Sequence, residues 1–215
     1  MKLLKTCGIR SKLENYNNID MLGFNFIESS KRYISPEKAE LIETPFSTLR
    51  VGVFGKPSPQ PSPLKGEGVK WKDITKSDLV DIIMIAKKTK MNAIQIHGNC
   101  DFAYLKLYNY LVIQSIPLSQ PFPPRENVAE QNIDFYIIDG KNPGSGEGYN
   151  YGEINNLNIE KKFLVAGGIS EKNIGEIFEI FKDNQYFCGV DIASGVDNGD
   201  NICLEKVEYI VNLIK

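Results

Sequence analysis

Apolar positions along the chain fall into eight short, nearly continuous runs. They are Leu3–Ile9, Ile19–Ile27, Leu49–Gly55, Ala93–Gly98, Leu111–Pro117, Asp134–Gly140, Lys162–Ile169 and Cys188–Val196. Runs of this length without polar alternation suit strands covered on both faces, as in a parallel sheet. The stretches between them carry helical signals. Ser35 followed by Pro36 predicts a helix start, with serine as N-cap and proline at the first helical position. Thr75 and Asp78 have the spacing of a capping pair, ahead of a buried face of Leu79, Ile82, Ile83 and Ala86. Phe102–Tyr110 reads as helical. Ser170–Phe181 reads as a helix capped by Ser170, with Ile174, Ile177, Phe178 and Phe181 on one face. Glu205–Ile214 closes the chain with Val207, Ile210, Val211 and Ile214 turned inward. Two connections are weaker: Arg10–Asn18 predicts a helix of only two or three turns, and Leu118–Gln131 is broken by Pro121, Pro123 and Pro124.

Strand, helix and strand with short joints make right-handed parallel crossovers. Eight such strands predict an α/β protein, a single (β/α)8 TIM barrel over residues 1–215. A doubly wound open sheet is the competitor, but it has no reason to stop at eight strands. It also leaves unexplained the small residues that end the last two runs, Gly167-Gly168 and Ser194-Gly195. Either pair alone would only turn a tight corner. Together, at the carboxyl ends of the seventh and eighth strands, they point to backbone N–H groups gathered around a phosphate. One stretch stands apart. Residues from about 56 to 69 are rich in proline and glycine, with prolines at 57, 59, 61 and 63. That alternation predicts an extended surface insert hanging from the active rim of the barrel.

Composition narrows the function. With 25 Lys+Arg against 27 Asp+Glu, no basic surface for nucleic acid is expected. No apolar run approaches the ~18 residues of a membrane span, so a cytoplasmic protein is expected. Cys7, Cys100, Cys188 and Cys203 lack CxxC spacing and accompany one histidine, which argues against a zinc site or a disulfide framework. The ionisable groups at strand ends reduce to Cys7, Arg32, His97, Asp139 and Asp191. Without a carboxylate cluster or a cofactor motif, proton transfer between paired side chains is the simplest chemistry left. Cys7 on the first strand and Asp139 on the sixth could face each other across the mouth. Taken singly, Cys7 reads as a small buried apolar residue and Asp139 as a loop cap.

In order along the chain, Lys5-Thr6-Cys7-Gly8-Ile9, Gly23-Phe24 with Phe26, Ser30 to Pro36, Val51-Gly52-Val53-Phe54 and Gln95-Ile96-His97-Gly98 resemble the phosphoribosylanthranilate isomerase family. So do Asp139 with Gly144-Ser145-Gly146, Ala166-Gly167-Gly168, and Gly189-Val190-Asp191 through Ser194-Gly195-Val196. The resemblance implies a (β/α)8 barrel that performs a cofactor-free Amadori rearrangement in tryptophan biosynthesis. It implies Cys7 as the general base at sugar C2, Asp139 as the general acid at the ring oxygen, and Arg32 as partner of the anthranilate carboxylate. Backbone groups around Gly167, Gly168, Gly189, Ser194 and Gly195 would hold the phosphate, with Asp191 orienting loop N–H groups. His97 would take a core or rim place. Its partner would be the small molecule phosphoribosylanthranilate, with no metal, nucleic acid or membrane, in a monomer or homodimer. The sequence departs from the family at Tyr149-Asn150-Tyr151, where Phe-Asp-Trp is usual, and at Glu147-Gly148. A non-catalytic sugar-phosphate binder, its rim obstructed by the insert, is the alternative.

Overall fold

The computed structural model describes residues 2–16, 18–57, 71–120, 131–140 and 148–214. The insert beyond Pro57, the prolines at 121, 123 and 124, and the 144–146 loop lie outside the described residues. Eight parallel strands close on themselves: β1 (Leu3–Cys7), β2 (Met21–Asn25), β3 (Leu49–Pro57), β5 (Ala93–His97), β6 (Leu111–Pro117), β7 (Phe135–Asp139), β8 (Phe163–Ala166) and β9 (Phe187–Ile192). β1 pairs with both β2 and β9, which completes the barrel. The two-residue β4 (Trp71–Lys72) is an antiparallel addition to the end of β3. The helices α1 (Pro36–Glu40), α2 (Lys76–Lys88), α3 (Phe102–Lys106), α4 (Ile174–Ile180) and α5 (Leu204–Ile214) pack outside.

Local chemistry explains most of these elements. The Ser35 side chain accepts from Lys38 N–H at the start of α1, with Pro36 at the first helical position. Thr75 and Asp78 form the expected reciprocal capping box, and Leu79, Ile82, Ile83 and Ala86 are the buried face of α2. Arg50, at the start of β3, donates to the carbonyls of Ala39, Ile42 and Thr89. One guanidinium thus satisfies carbonyls at the carboxyl ends of α1 and α2 and stacks on Phe24, 4.3 Å from the ring centroid.

Three predicted helices differ. The one read over Phe102–Tyr110 stops at Lys106, and Asn109, with φ +61°, turns the chain toward β6. Arg10–Asn18 forms no helix among the described residues. Its backbone is claimed by the loop before α5: Arg10 N–H donates to Asn201 Oδ1 (3.0 Å) and Asn201 Nδ2 to the Ser11 carbonyl (3.1 Å). Those long-range bonds outweigh a weak asparagine-rich helix. The helix expected from Ser170 begins at Ile174 instead, with Asn173 at its N-cap. Asn173 accepts from Ser170 N–H through its side chain (2.9 Å), which closes a turn where the helix would have started.

The strand faces set the site. Met21, Val51, Ala93, Ile113, Ile137 and Leu164 fill the barrel interior as one apolar plug. Successive inward side chains on a strand lie two residues apart. Two residues further on, Val53, Gln95, Ser115, Asp139 and Ala166 line the cavity above that plug. The larger core, including Leu79, Phe163, Ile177, Phe181 and Ile210, lies between barrel and helices. Among the described residues no helix is long and apolar enough to cross a membrane.

Candidate active site

The plug stops short of the carboxyl ends of the strands and leaves a cavity of about 440 Å³. Cys7 at the end of β1, Asp139 at the end of β7, and Arg32 in the segment after β2 all line it, as do Gly167, Gly168, Asp191 and Ser194. The Asp139 carboxylate accepts from Gly140 N–H (2.8 Å). A Cβ at Gly167 would stand 2.6 Å from its Oδ1, so glycine there leaves room for the carboxylate. Burial pushes the Asp139 carboxyl up to about 6, a shift that Asp191 reinforces and Lys5 and Arg32 oppose. Burial also raises the Cys7 thiol, while the Lys5 and Arg32 cations pull it back down. His97 is pushed down to about 3 by burial and by Lys5, so its imidazole is neutral. It occupies the cavity rim, 4.6 Å from Trp71 in a stacked pair.

A raised carboxyl carries a stability consequence. The unfolded chain ionises Asp139 near pH 4, whereas the folded chain holds the proton to about 6. Stability from this group is therefore full below pH 4 and lost as pH rises through about 6. Asp139→Asn keeps an acceptor for Gly140 N–H without the charge. We expect it to melt above wild type at pH 8, by the order of 2 kcal/mol, and to lose that advantage below pH 4. Equal shifts at both pH values would contradict the assignment of a buried, protonated carboxyl.

Lys5 is a further charged group of the site, beyond the ionisable residues at the strand ends. It lies fully buried in the barrel, and its Nζ donates to Asp191 Oδ2 at 2.8 Å. The register of β1 and β9 places the two residues side by side. Its position two residues before Cys7 was the available signal, because i and i+2 share a strand face. Asp191, expected to orient loop N–H groups, instead holds this lysine inside the barrel.

The other end of the cavity is lined by backbone. Gly167 and Gly168 have successive positive φ values of +89° and +63°, a pair of conformations that L side chains resist. At Gly195, in the short 3-10 turn Ser194–Val196, a Cβ would meet the Ile169 carbonyl at 2.1 Å. The loops after β8 and β9 are thus packed backbone to backbone. Gly189 does not join them. It lies near the amino end of β9, opposite Leu3, where a Cβ would fall 1.9 Å from the Leu3 carbonyl oxygen. Glycine is required there for strand packing, which corrects the expectation that it helps hold phosphate.

Arg32 packs its aliphatic stem over Gly8, and its Nε lies 3.4 Å from Asp197 Oδ2, an ion-pair contact without hydrogen-bond alignment. Asp197 in turn accepts from Arg10 (2.9 Å), and these cations hold its carboxyl below the usual range. No sequence motif marked that acid, which reaches Arg32 only because β9 returns beside β1.

A sequence model of the family described as N-(5'phosphoribosyl)anthranilate (PRA) isomerase matches residues 74–212, more than half of the chain. The chain belongs to this family. It is an isomerase, and the family's Amadori rearrangement is its reaction. Curated phosphoribosylanthranilate isomerases from Staphylococcus haemolyticus and Streptococcus mutans are 27% and 24% identical to it. The alignments cover 99% and 100% of this chain and 98% and 100% of those proteins. The solved enzyme from Thermus thermophilus superposes with a TM-score of 0.72 at 24% identity, over 99% of this chain and 98% of its own. A second solved isomerase, in complex with reduced 1-(o-carboxyphenylamino)-1-deoxyribulose 5-phosphate, has a TM-score of 0.68 at 21% identity, over 99% of this chain and 97% of its own.

The departures from the family pattern have structural work in this isomerase. Tyr149 lays its ring across Gly140 and Gly167 and donates to the Ala166 carbonyl (3.1 Å). Tyr151 donates to the Gly167 carbonyl (2.8 Å), and Asn173 Nδ2 bridges Tyr151 Oη (3.2 Å) and the Gly168 carbonyl (2.9 Å). These bonds clamp the glycine pair from outside the cavity. Tyr151→Phe removes one of them, and we expect KM to rise about 3- to 10-fold with kcat nearly unchanged, since one hydrogen bond contributes ~1 kcal/mol. A matching fall in kcat would instead place Tyr151 in the chemistry.

Proposed function

We propose that Cys7 and Asp139 divide the isomerisation between them as base and acid, with Arg32 on the aryl carboxylate and the loops after β8 and β9 on the phosphate. The observation that carries this reading is the presence of both groups in one cavity, on strands on different sides of its mouth, with the Asp139 carboxyl held up to about 6. Protonated Asp139 gives its proton to the furanose oxygen as the aryl nitrogen's lone pair opens the ring to an iminium. The Cys7 thiolate then takes the C2 proton, leaving an enolamine that tautomerises to the aminoketone. Protons given and taken balance, so the net change is an isomerisation of aldose to ketose.

Arg32 suits a carboxylate because its planar fork makes bidentate contact. The glycine pair, the Ser194–Val196 turn and their backbone N–H groups suit a phosphate. The test is to follow the loss of fluorescence of freshly made phosphoribosylanthranilate. Turnover by the wild-type chain is expected. Tight binding of ribose 5-phosphate without turnover would replace this reading with a binding-only barrel. A monomer and a homodimer both fit it, and light scattering separates them.

A further inference from the structure

The chain has one tryptophan, Trp71, and the structure places it in the cavity wall. Around the barrel, the seam between β3 and β5 lies directly across from the seam between β8 and β9. The glycine cradle occupies one side, so the opposite side faces the far end of any ligand that spans the mouth. There Lys56-Pro57 pairs antiparallel with Trp71-Lys72, and this ribbon brings the indole over the rim.

The seat is cut to the ring. A Cβ at Gly55 would fall 2.7 Å from the indole, and at Gly98 3.2 Å from Trp71 Cβ and 3.1 Å from the Lys72 carbonyl. One indole face stacks on neutral His97, with 30° between the planes. The Nε1–H is enclosed, with no acceptor among the described protein groups. Val53, Ile27 and Pro57 make the adjoining wall apolar, and Arg32 enters from the neighbouring β2 loop. An aromatic, apolar wall beside one arginine, opposite a phosphate cradle, matches a molecule with an aryl carboxylate at one end and a phosphate at the other.

Resting on the function proposed above, we propose that Trp71 is the specificity residue for the aryl end, packing its indole against the anthranilate ring while Arg32 takes the carboxylate. Aromatic packing of this kind adds to what area burial alone gives. Because the chain has a single tryptophan, its emission reports on this wall alone. The probes are reduced 1-(o-carboxyphenylamino)-1-deoxyribulose 5-phosphate, which carries the aryl group, and ribose 5-phosphate, which does not.

We expect the aryl probe to quench Trp71 emission by energy transfer, and ribose 5-phosphate to leave it nearly unchanged. Trp71→Ala should weaken the aryl probe about 10-fold and raise KM alike, with kcat within about 3-fold and ribose 5-phosphate affinity unchanged. Trp71→Phe should recover most of the loss, and its melting curve controls for folding. Unquenched emission at saturating aryl probe would overturn the inference. Equal weakening of both probes by Trp71→Ala would do so too, by making the residue a structural plug. Absence of wild-type turnover would sink the isomerase reading instead, while the quenching result would still decide the role of Trp71.

Discussion

With the roles proposed above, Asp139→Asn and Cys7→Ala are each expected to lower kcat/KM by about 10²–10⁴-fold, the range for loss of a general acid or base. Neither change unfolds the barrel, because Asn keeps the acceptor for Gly140 N–H and Ala keeps β1 intact. The wild-type pH profile adds a sharper requirement. In the proposed mechanism Asp139 must hold its proton although its pKa is about 6, and Cys7 must lose its proton although burial raises its own. The active form is therefore a minor one, and the profile belongs to the pair. Its population rises with pH up to about 6, stays level until the thiol titrates, and then falls. In Asp139→Asn the level region disappears, and the residual rate climbs with pH until Cys7 is ionised. Wild-type-like turnover in either variant would remove that residue from the mechanism. An unchanged pH profile in Asp139→Asn would remove the acid.

Asp191→Ala destabilises the chain by about 3–5 kcal/mol, because it leaves the Lys5 ammonium fully buried without its partner. For a chain of this size, that lowers Tm by roughly 10 °C. Despite burial, Asp191 raises the Lys5 pKa above its ordinary value, so the contribution is complete at neutral pH and is lost only as pH rises through that raised value. Lys5→Met/Asp191→Leu, which removes both charges, should recover most of the stability in a urea melt. The double variant should nevertheless lose activity at neutral pH. It lacks the Lys5 cation that pulls the Cys7 thiol down, a pull larger than the opposing push of Asp191 that is lost with it. A single variant as stable as wild type would show that water or another group solvates Lys5. A double variant as active as wild type would show that the Lys5–Asp191 pair exerts no net pull on Cys7.

The barrel and most of its elements are legible from the order of the residues. Doubly buried strands must be apolar along their length, so all eight were visible as runs, and Leu111–Pro117 matched to the residue. The capping box at Thr75 and Asp78 and the Ser35-Pro36 start were equally legible, because a cap is made within a few residues. Cys7, Asp139, Arg32 and the paired glycines could be picked out as candidates, since strand ends are where this fold exposes chemistry. The remaining features depend on partners far apart in the chain. Arg10–Asn18 lost its helix to Asn201, and Asp191 turned inward to Lys5 across the β1–β9 seam. Gly189 proved to be a packing glycine against Leu3. Trp71 reached His97 through an antiparallel ribbon that no local pattern announced. Local hydrogen bonds and strand periodicity are written into neighbouring residues, whereas a buried ion pair or a stacked wall exists only once the barrel closes.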